Sequence, residues 1–80
     1  MDADNLVRMA NRIGDFFAAQ PDREEALAGI AEHLKKFWAP RMRADFLSAV
    51  DAGAPALHPL VREAVEGHRA QLAPAPKVQG

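Results

Sequence analysis

Prolines and glycines divide this chain into four segments in which apolar residues recur at intervals of three and four. That spacing places apolar side chains along one side of an α-helix, and no segment shows the alternation typical of a strand. The sequence therefore predicts an all-α fold, a small bundle of about four short helices. They are expected at residues 4–19 and 22–38, from Pro40 to a cap at Gly53, and at residues 59–72.

A single helical domain is expected at residues 1–72, followed by a flexible tail at 73–80. Pro74 and Pro76 in the tail remove backbone donors and favour an extended chain. Seventeen of the 80 residues are alanine, so large apolar side chains are few. We expect a marginal core that gains stability by docking on a larger partner, although a small monomeric bundle is the alternative.

Apolar stripes along the first two predicted helices define the expected core on that side of the bundle. Asp22 is expected to cap the second helix, with Glu25 three residues further on. Gly29 inside that helix is expected to let another backbone approach closely. The two stripes consist of Leu6, Met9, Ala10, Ile13, Phe16 and Phe17, and of Leu27, Ile30, Ala31, Leu34, Phe37 and Trp38.

Residues that carry chemistry are scarce in this sequence. The absence of cysteine excludes disulfides, thiolate catalysis and cysteine-ligated iron–sulfur clusters. His33, His58 and His68 lack metal-binding spacing, so they are expected on helix flanks and in a loop rather than in a metal site. Ser48 has no nucleophile-elbow motif around it. The chain is therefore expected to be non-catalytic and to hold no metal or cofactor of its own.

Charge and hydropathy favour a cytoplasmic protein without a membrane or nucleic-acid partner. The formal net charge is −1, which provides no global attraction for nucleic acid or anionic lipid. The N-terminus carries Asp2 and Asp4 instead of the basic and apolar regions of a signal peptide. The apolar runs are far shorter than the roughly 20 residues that a membrane span needs.

Residues 35–43 (KKFWAPRMR) form the most distinctive segment, which we call the corner because Pro40 is expected to break the chain there between two helices. Its four cations are interleaved with two aromatic residues and a methionine, and it contains no acid. Three interpretations remain open: core aromatics with solvated cations, a protein-docking surface, or a nucleic-acid site with base stacking on Trp38. The expected partner-binding residues are Lys35, Lys36, Trp38, Pro40, Arg41, Met42 and Arg43, with Arg8 from the first helix.

Three segments together resemble the delta subunit of NAD-dependent, molybdenum-containing formate dehydrogenases. They are residues 6–14 (LVRMANRIG), 33–43 (HLKKFWAPRMR) and 59–65 (PLVREAV), and the likeness extends over roughly residues 5–65. The resemblance implies a holoenzyme that oxidises formate to carbon dioxide and reduces NAD. Its other subunits are expected to carry a molybdenum bis-pterin cofactor, iron–sulfur clusters, FMN and the NAD site.

In such an enzyme the chain is expected to act as a cofactor-free subunit that docks on the large catalytic subunit and supports assembly or stability. We expect Trp38 to fill a pocket there, Arg41 and Arg43 to pair with acids around it, and Met42 to point inward with Phe46. Two alternatives remain open at this point. The chain could be an assembly chaperone that dissociates, or a free regulatory or nucleic-acid-binding helical module.

Overall fold

Four α-helices make up the part of the chain that the computed structural model describes, residues 2–74. They are α1 (Ala3–Ala18), α2 (Arg23–Phe37), α3 (Pro40–Asp51) and α4 (Pro59–Leu72), and no strand occurs in this range. The predicted all-α fold is therefore confirmed. The predicted bounds of α1, α2 and α4 agree with the observed ones to within one residue. Most of the predicted tail, residues 75–80, lies outside the described part.

The helix ends follow from local chemistry in the sequence. The Asp22 carboxylate accepts a hydrogen bond from the Glu25 N–H at 3.2 Å, as predicted, and Asp2 caps α1 in the same way through the Asp4 N–H. Pro40 and Pro59 each occupy the first turn of a helix, where a missing N–H costs nothing. Gly53 follows α3 with a φ of +115°, the left-handed conformation that ends many helices.

The core lies between all four helices, and α2 packs most extensively against α4. Leu57 anchors the α3–α4 connection in this core. Met42 packs at its margin, which confirms the inward orientation expected of that side chain. The largest fully buried side chains are Phe46, Leu6, Ile30, Leu34, Leu72, Val61 and Val65.

Helices α1 and α4 approach closely at Gly14. A Cβ atom there would lie 2.7 Å from Val61 Cγ2 and 3.0 Å from the His58 ring, closer than real Cβ contacts allow. The glycine thus lowers intrinsic helix propensity but permits this contact. One of the segments behind the family resemblance therefore contains a residue that sets the spacing between two helices.

Asn11 on α1 clamps the connection between α3 and α4. Its side-chain amide donates to the Ala56 carbonyl at 2.9 Å, and its side-chain oxygen accepts the His58 N–H at 2.7 Å. His58 Nδ1 in turn accepts the Leu60 N–H and so caps α4. Residues 45 or more positions apart are thus connected through one side chain.

The same loop is held from its other side by Arg62. Its guanidinium donates to the carbonyls of Gly53 and Ala54 at 2.8 and 2.6 Å. Ala54 has a φ of +30°, which is unfavourable for a residue with a Cβ atom. The side-chain hydrogen bonds from α1 and α4 stabilise the loop in this conformation.

Two exposed ion pairs connect neighbouring helices. Arg23 on α2 pairs with Glu63 on α4, and Arg69 on α4 forms two 2.7 Å hydrogen bonds with Asp51 at the end of α3. Hydrogen bonds from the arginines lower the pKa of the Glu63 and Asp51 carboxyls below their usual values.

Within residues 2–74, no helix is long and apolar enough to cross a membrane.

The Asn11 clamp gives a test of this architecture. Asn11→Ala leaves the Ala56 carbonyl and the partly buried His58 N–H without their partners, so we expect a loss of about 1–3 kcal/mol in the free energy of unfolding. Asn11→Asp keeps the acceptor for the His58 N–H and should lose less. Urea denaturation followed by circular dichroism measures both, and equal stability of Asn11→Ala and the wild type would contradict the clamp.

Candidate partner-binding surface

The corner between α2 and α3 does not expose its tryptophan. Trp38 is only 5% exposed, and its ring meets Phe46 edge-on with centroids 5.3 Å apart. Pro40 ends α2 as predicted, but α3 then folds back so that Phe46 covers the ring. The expectation that Trp38 is free to fill a pocket on a partner is thereby corrected: in this conformation the ring belongs to the core.

Arg43 is also used inside the protein. Its guanidinium donates to the Leu72 carbonyl at 2.9 Å, the Trp38 carbonyl at 2.7 Å and the Lys35 carbonyl at 3.3 Å. These carbonyls lie at the C-terminal ends of α4 and α2, where the helix itself supplies no N–H donor. A cation there is also favoured by the helix dipole. Arg43 therefore caps two helices, which corrects the expectation that it pairs with acids on a partner.

The other cations of the corner remain available. Lys35, Lys36 and Arg41 are exposed, and Lys36 is 3.0 Å from Glu32 one turn earlier. Within residues 2–74, the side chains of Lys35 and Arg41 form no hydrogen bond or ion pair. Pro40 is exposed as well. Their part in binding a partner stays a prediction.

Arg8 is not grouped with the corner cations. It is exposed and lines a different depression, beside the α3–α4 loop, together with Asn11 and Pro55. The structure thus does not unite all the predicted site residues in one place, and the role of Arg8 in partner binding also stays a prediction.

A second surface, which we call the aromatic face, lies on the outer side of the α1–α2 pair. It consists of Ile13, Phe16, Phe17, His33 and Phe37. Phe16 and Phe37 are each 71% exposed, and they are the only large apolar side chains exposed to this degree in the described part of the chain. The prediction that both belong to the core is wrong, because no third helix within residues 2–74 covers this side of the pair.

Successive rings of the aromatic face touch one another. Phe16 and Phe17 meet edge-to-face at 5.1 Å, Phe17 and His33 at 6.5 Å, and His33 and Phe37 lie 4.8 Å apart. A depression of about 420 Å³ opens between Arg12, Phe16 and His33, and a second of about 260 Å³ opens between His33, Lys36 and Phe37. The face is therefore a continuous apolar strip with shallow hollows along it.

Gly29 makes room for this strip. A Cβ atom at Gly29 would lie 2.5 Å from Phe17 Cε1 and 2.9 Å from Cδ1, so the ring lies directly against the α2 backbone. The sequence predicted a close approach at this glycine but assigned it to another backbone. The approaching group is instead an aromatic side chain.

Helical spacing in the sequence contains part of the information that predicts the aromatic face. Phe16 and Phe17 are adjacent and point about 100° apart on a helix, so a core-facing side that centres on one of them leaves the other at its margin. Phe37 lies four residues after His33 and thus continues its row along α2. What the spacing does not give is the packing of the other helices, which decides which side of α1 and α2 stays uncovered.

The chemistry available on these surfaces is that of binding. Within residues 2–74, no three histidine, aspartate or glutamate side chains are grouped as a metal site would require. The aromatic face offers contact area to apolar side chains, and the neighbouring lysines and arginines offer donors to carboxylates. Together these features fit a surface that another protein covers.

Comparison with known families agrees with this description. The model of the family described as NADH-dependent formate dehydrogenase delta subunit FdsD matches residues 5–65. The chain belongs to this family. No curated protein and no solved structure matches the chain.

The match to the delta-subunit family covers three quarters of the sequence and spans α1, α2, α3 and the first half of α4. It confirms the resemblance that the three sequence segments indicated. Both clamping residues, Asn11 and Arg43, lie inside the matched range, as does the whole aromatic face.

The two arginines of the RMR triplet allow a matched test of the corner. Arg43→Gln removes charged donors from three carbonyls that are only part-buried or exposed, so water can replace most of these contacts. The net loss should therefore resemble that of one hydrogen bond to a charged group, about 1.5–3 kcal/mol. We expect a loss of about 2 kcal/mol, or roughly 10 °C in the melting temperature of a domain this small. Arg41→Gln should change the melting temperature by less than about 2 °C, since exposed charges contribute little. Differential scanning calorimetry measures the melting temperature of both variants. Equal melting temperatures for Arg43→Gln and Arg41→Gln would show that Arg43 does not cap the two helices.

Proposed function

We propose that this chain is a non-catalytic accessory subunit of a cytoplasmic, NAD-dependent, molybdenum-containing formate dehydrogenase. It docks on the large catalytic subunit and supports assembly or stability of the complex. The observation that carries the proposal is the family match over residues 5–65.

Redox groups belong to the other subunits in this proposal: a molybdenum bis-pterin, iron–sulfur clusters, FMN and the NAD site. The residue types of this chain support that assignment for the iron–sulfur clusters and for a metal. The sequence contains no cysteine to ligate a cluster, and the described residues offer no three-ligand metal set. The exposed surfaces suit protein contacts instead, which supports a role through association.

The positive charge of the exposed corner cations also supports docking on a partner. Lys35, Lys36 and Arg41 project from a chain whose overall net charge is −1, so the cation excess is local. Local charge of one sign steers a partner of opposite sign and fixes its register. In the proposed complex, carboxylates of the large subunit lie opposite these side chains.

Omitting the chain from co-expression with the other subunits tests the proposal. We expect the yield of assembled enzyme to fall several-fold, while formate oxidation per bound molybdenum stays unchanged, because the chain takes no part in the chemistry. With the chain present, it should co-elute with the large subunit in active fractions from gel filtration. Reduced turnover per molybdenum at normal yield would contradict a non-catalytic role. An active enzyme that forms in full yield with the chain and lacks it after purification would identify a dissociable chaperone instead.

A further inference from the structure

The aromatic face contains the apolar side chains that the described part of the protein leaves most exposed. Phe16 and Phe37 come from different helices, yet the rings between them join the two into one strip. Scattered single apolar residues are normal on a surface, but a contiguous strip of this kind marks a contact with another molecule.

The packing of α1 against α2 supports the position of this strip. Gly29 costs α2 about 1 kcal/mol in helix propensity relative to alanine, and its missing side chain is what lets the Phe17 ring lie against α2. Phe17 then supports both Phe16 and His33 by edge-on contacts. The Phe17 ring is thus held against α2 before any partner arrives, which lowers the entropy cost of its binding.

Charge around the strip indicates the chemistry of the partner. Among the side chains that line the two hollows, Arg12 and Lys36 are cations, and Glu32 is the one carboxylate, already paired with Lys36. Phe37 also belongs to the corner, in which Lys35 and Arg41 are two further exposed cations. Two cations and one carboxylate therefore line the hollows of the apolar strip, in a chain with a net charge of −1.

We propose that the aromatic face is the centre of the docking surface and that it receives an amphipathic acidic segment of another formate dehydrogenase subunit. That segment presents aliphatic side chains to Phe16, Phe17 and Phe37, and it carries Asp or Glu on its margins opposite Arg12 and Lys36. This inference rests on the proposed function. It assigns the apolar contact with the partner to the aromatic face instead of to Trp38. The corner cations then form the rim of the same surface.

A pair of polar substitutions tests the centre of this surface. Phe16→Gln combined with Phe37→Gln should weaken binding to the other subunits roughly thirty-fold or more, the loss typical of an interface hot spot. Affinity is measured by biolayer interferometry against the remaining subunits, purified together. Because both rings are mostly exposed, helicity and melting temperature should stay at wild-type values, which separates lost binding from lost folding.

Two matched variants make the result specific. Phe16→Leu combined with Phe37→Leu keeps the apolar character and should bind within roughly ten-fold of the wild type, since the penalty is that of partial truncation. Ala44→Gln combined with Ala70→Gln introduces the same polar group at exposed positions of α3 and α4 and should leave affinity unchanged.

The charge of the partner is tested through the rim. Arg12→Glu should slow association and remove part of the salt dependence of binding, as expected for a cation that faces carboxylates. Lys35→Glu with Arg41→Glu should do the same without abolishing the complex. Faster association of these variants would overturn the acidic character assigned to the partner.

The outcomes separate the inference from the function on which it rests. If the wild-type chain does not bind the other subunits at all, the proposed function fails and the docking inference falls with it. If the wild type binds and the Phe→Gln pair binds equally well, only the inference is overturned. If sedimentation shows that the wild type self-associates through Phe16 and Phe37 while subunit binding is unaffected by the pair, a second copy covers the face and the acidic partner is refuted.

Discussion

The guanidinium of Arg43 holds together the part of the bundle on which the other features depend. It satisfies backbone carbonyls at the ends of α2 and α4 from a position on the first turn of α3. Three helices are thereby fixed at one point in a chain too short for a large core. The turn that Pro40 imposes is held in the geometry that brings Phe46 over Trp38. The corner is therefore a structural joint whose outer surface carries charge.

Asn11 stabilises the α3–α4 connection by hydrogen bonds in a similar way. Its amide ties a loop with an unfavourable backbone conformation at Ala54 to the middle of α1. A larger domain holds its helices and loops in place mainly by apolar packing. In this chain, the hydrogen bonds of Asn11 and Arg43 supply part of that stabilisation. Both side chains lie in segments that carry the family resemblance, and both form hydrogen bonds within the chain.

The sequence predicted the helices well because their determinants are local. Proline positions, the Asp22 cap and three- and four-residue spacing all act within one turn of the residues concerned. The site was predicted less well because it depends on which helix faces are covered. Phe37 is the last residue of α2 and Trp38 directly follows it, and spacing alone places both in the same stripe. The position of α3, which covers one and leaves the other exposed, comes from tertiary packing.

The hydrogen bonds of Arg43 go to main-chain carbonyls, which has a consequence for how sequences in the family diverge. Every amino acid supplies the same carbonyl, so the residues at 35, 38 and 72 are free to change without removing the acceptor. Substitution at one of these positions needs no compensating change at 43. Evolutionary covariation is therefore expected to reveal no partner for this arginine, although one of its hydrogen bonds reaches Leu72, 29 residues further along the chain.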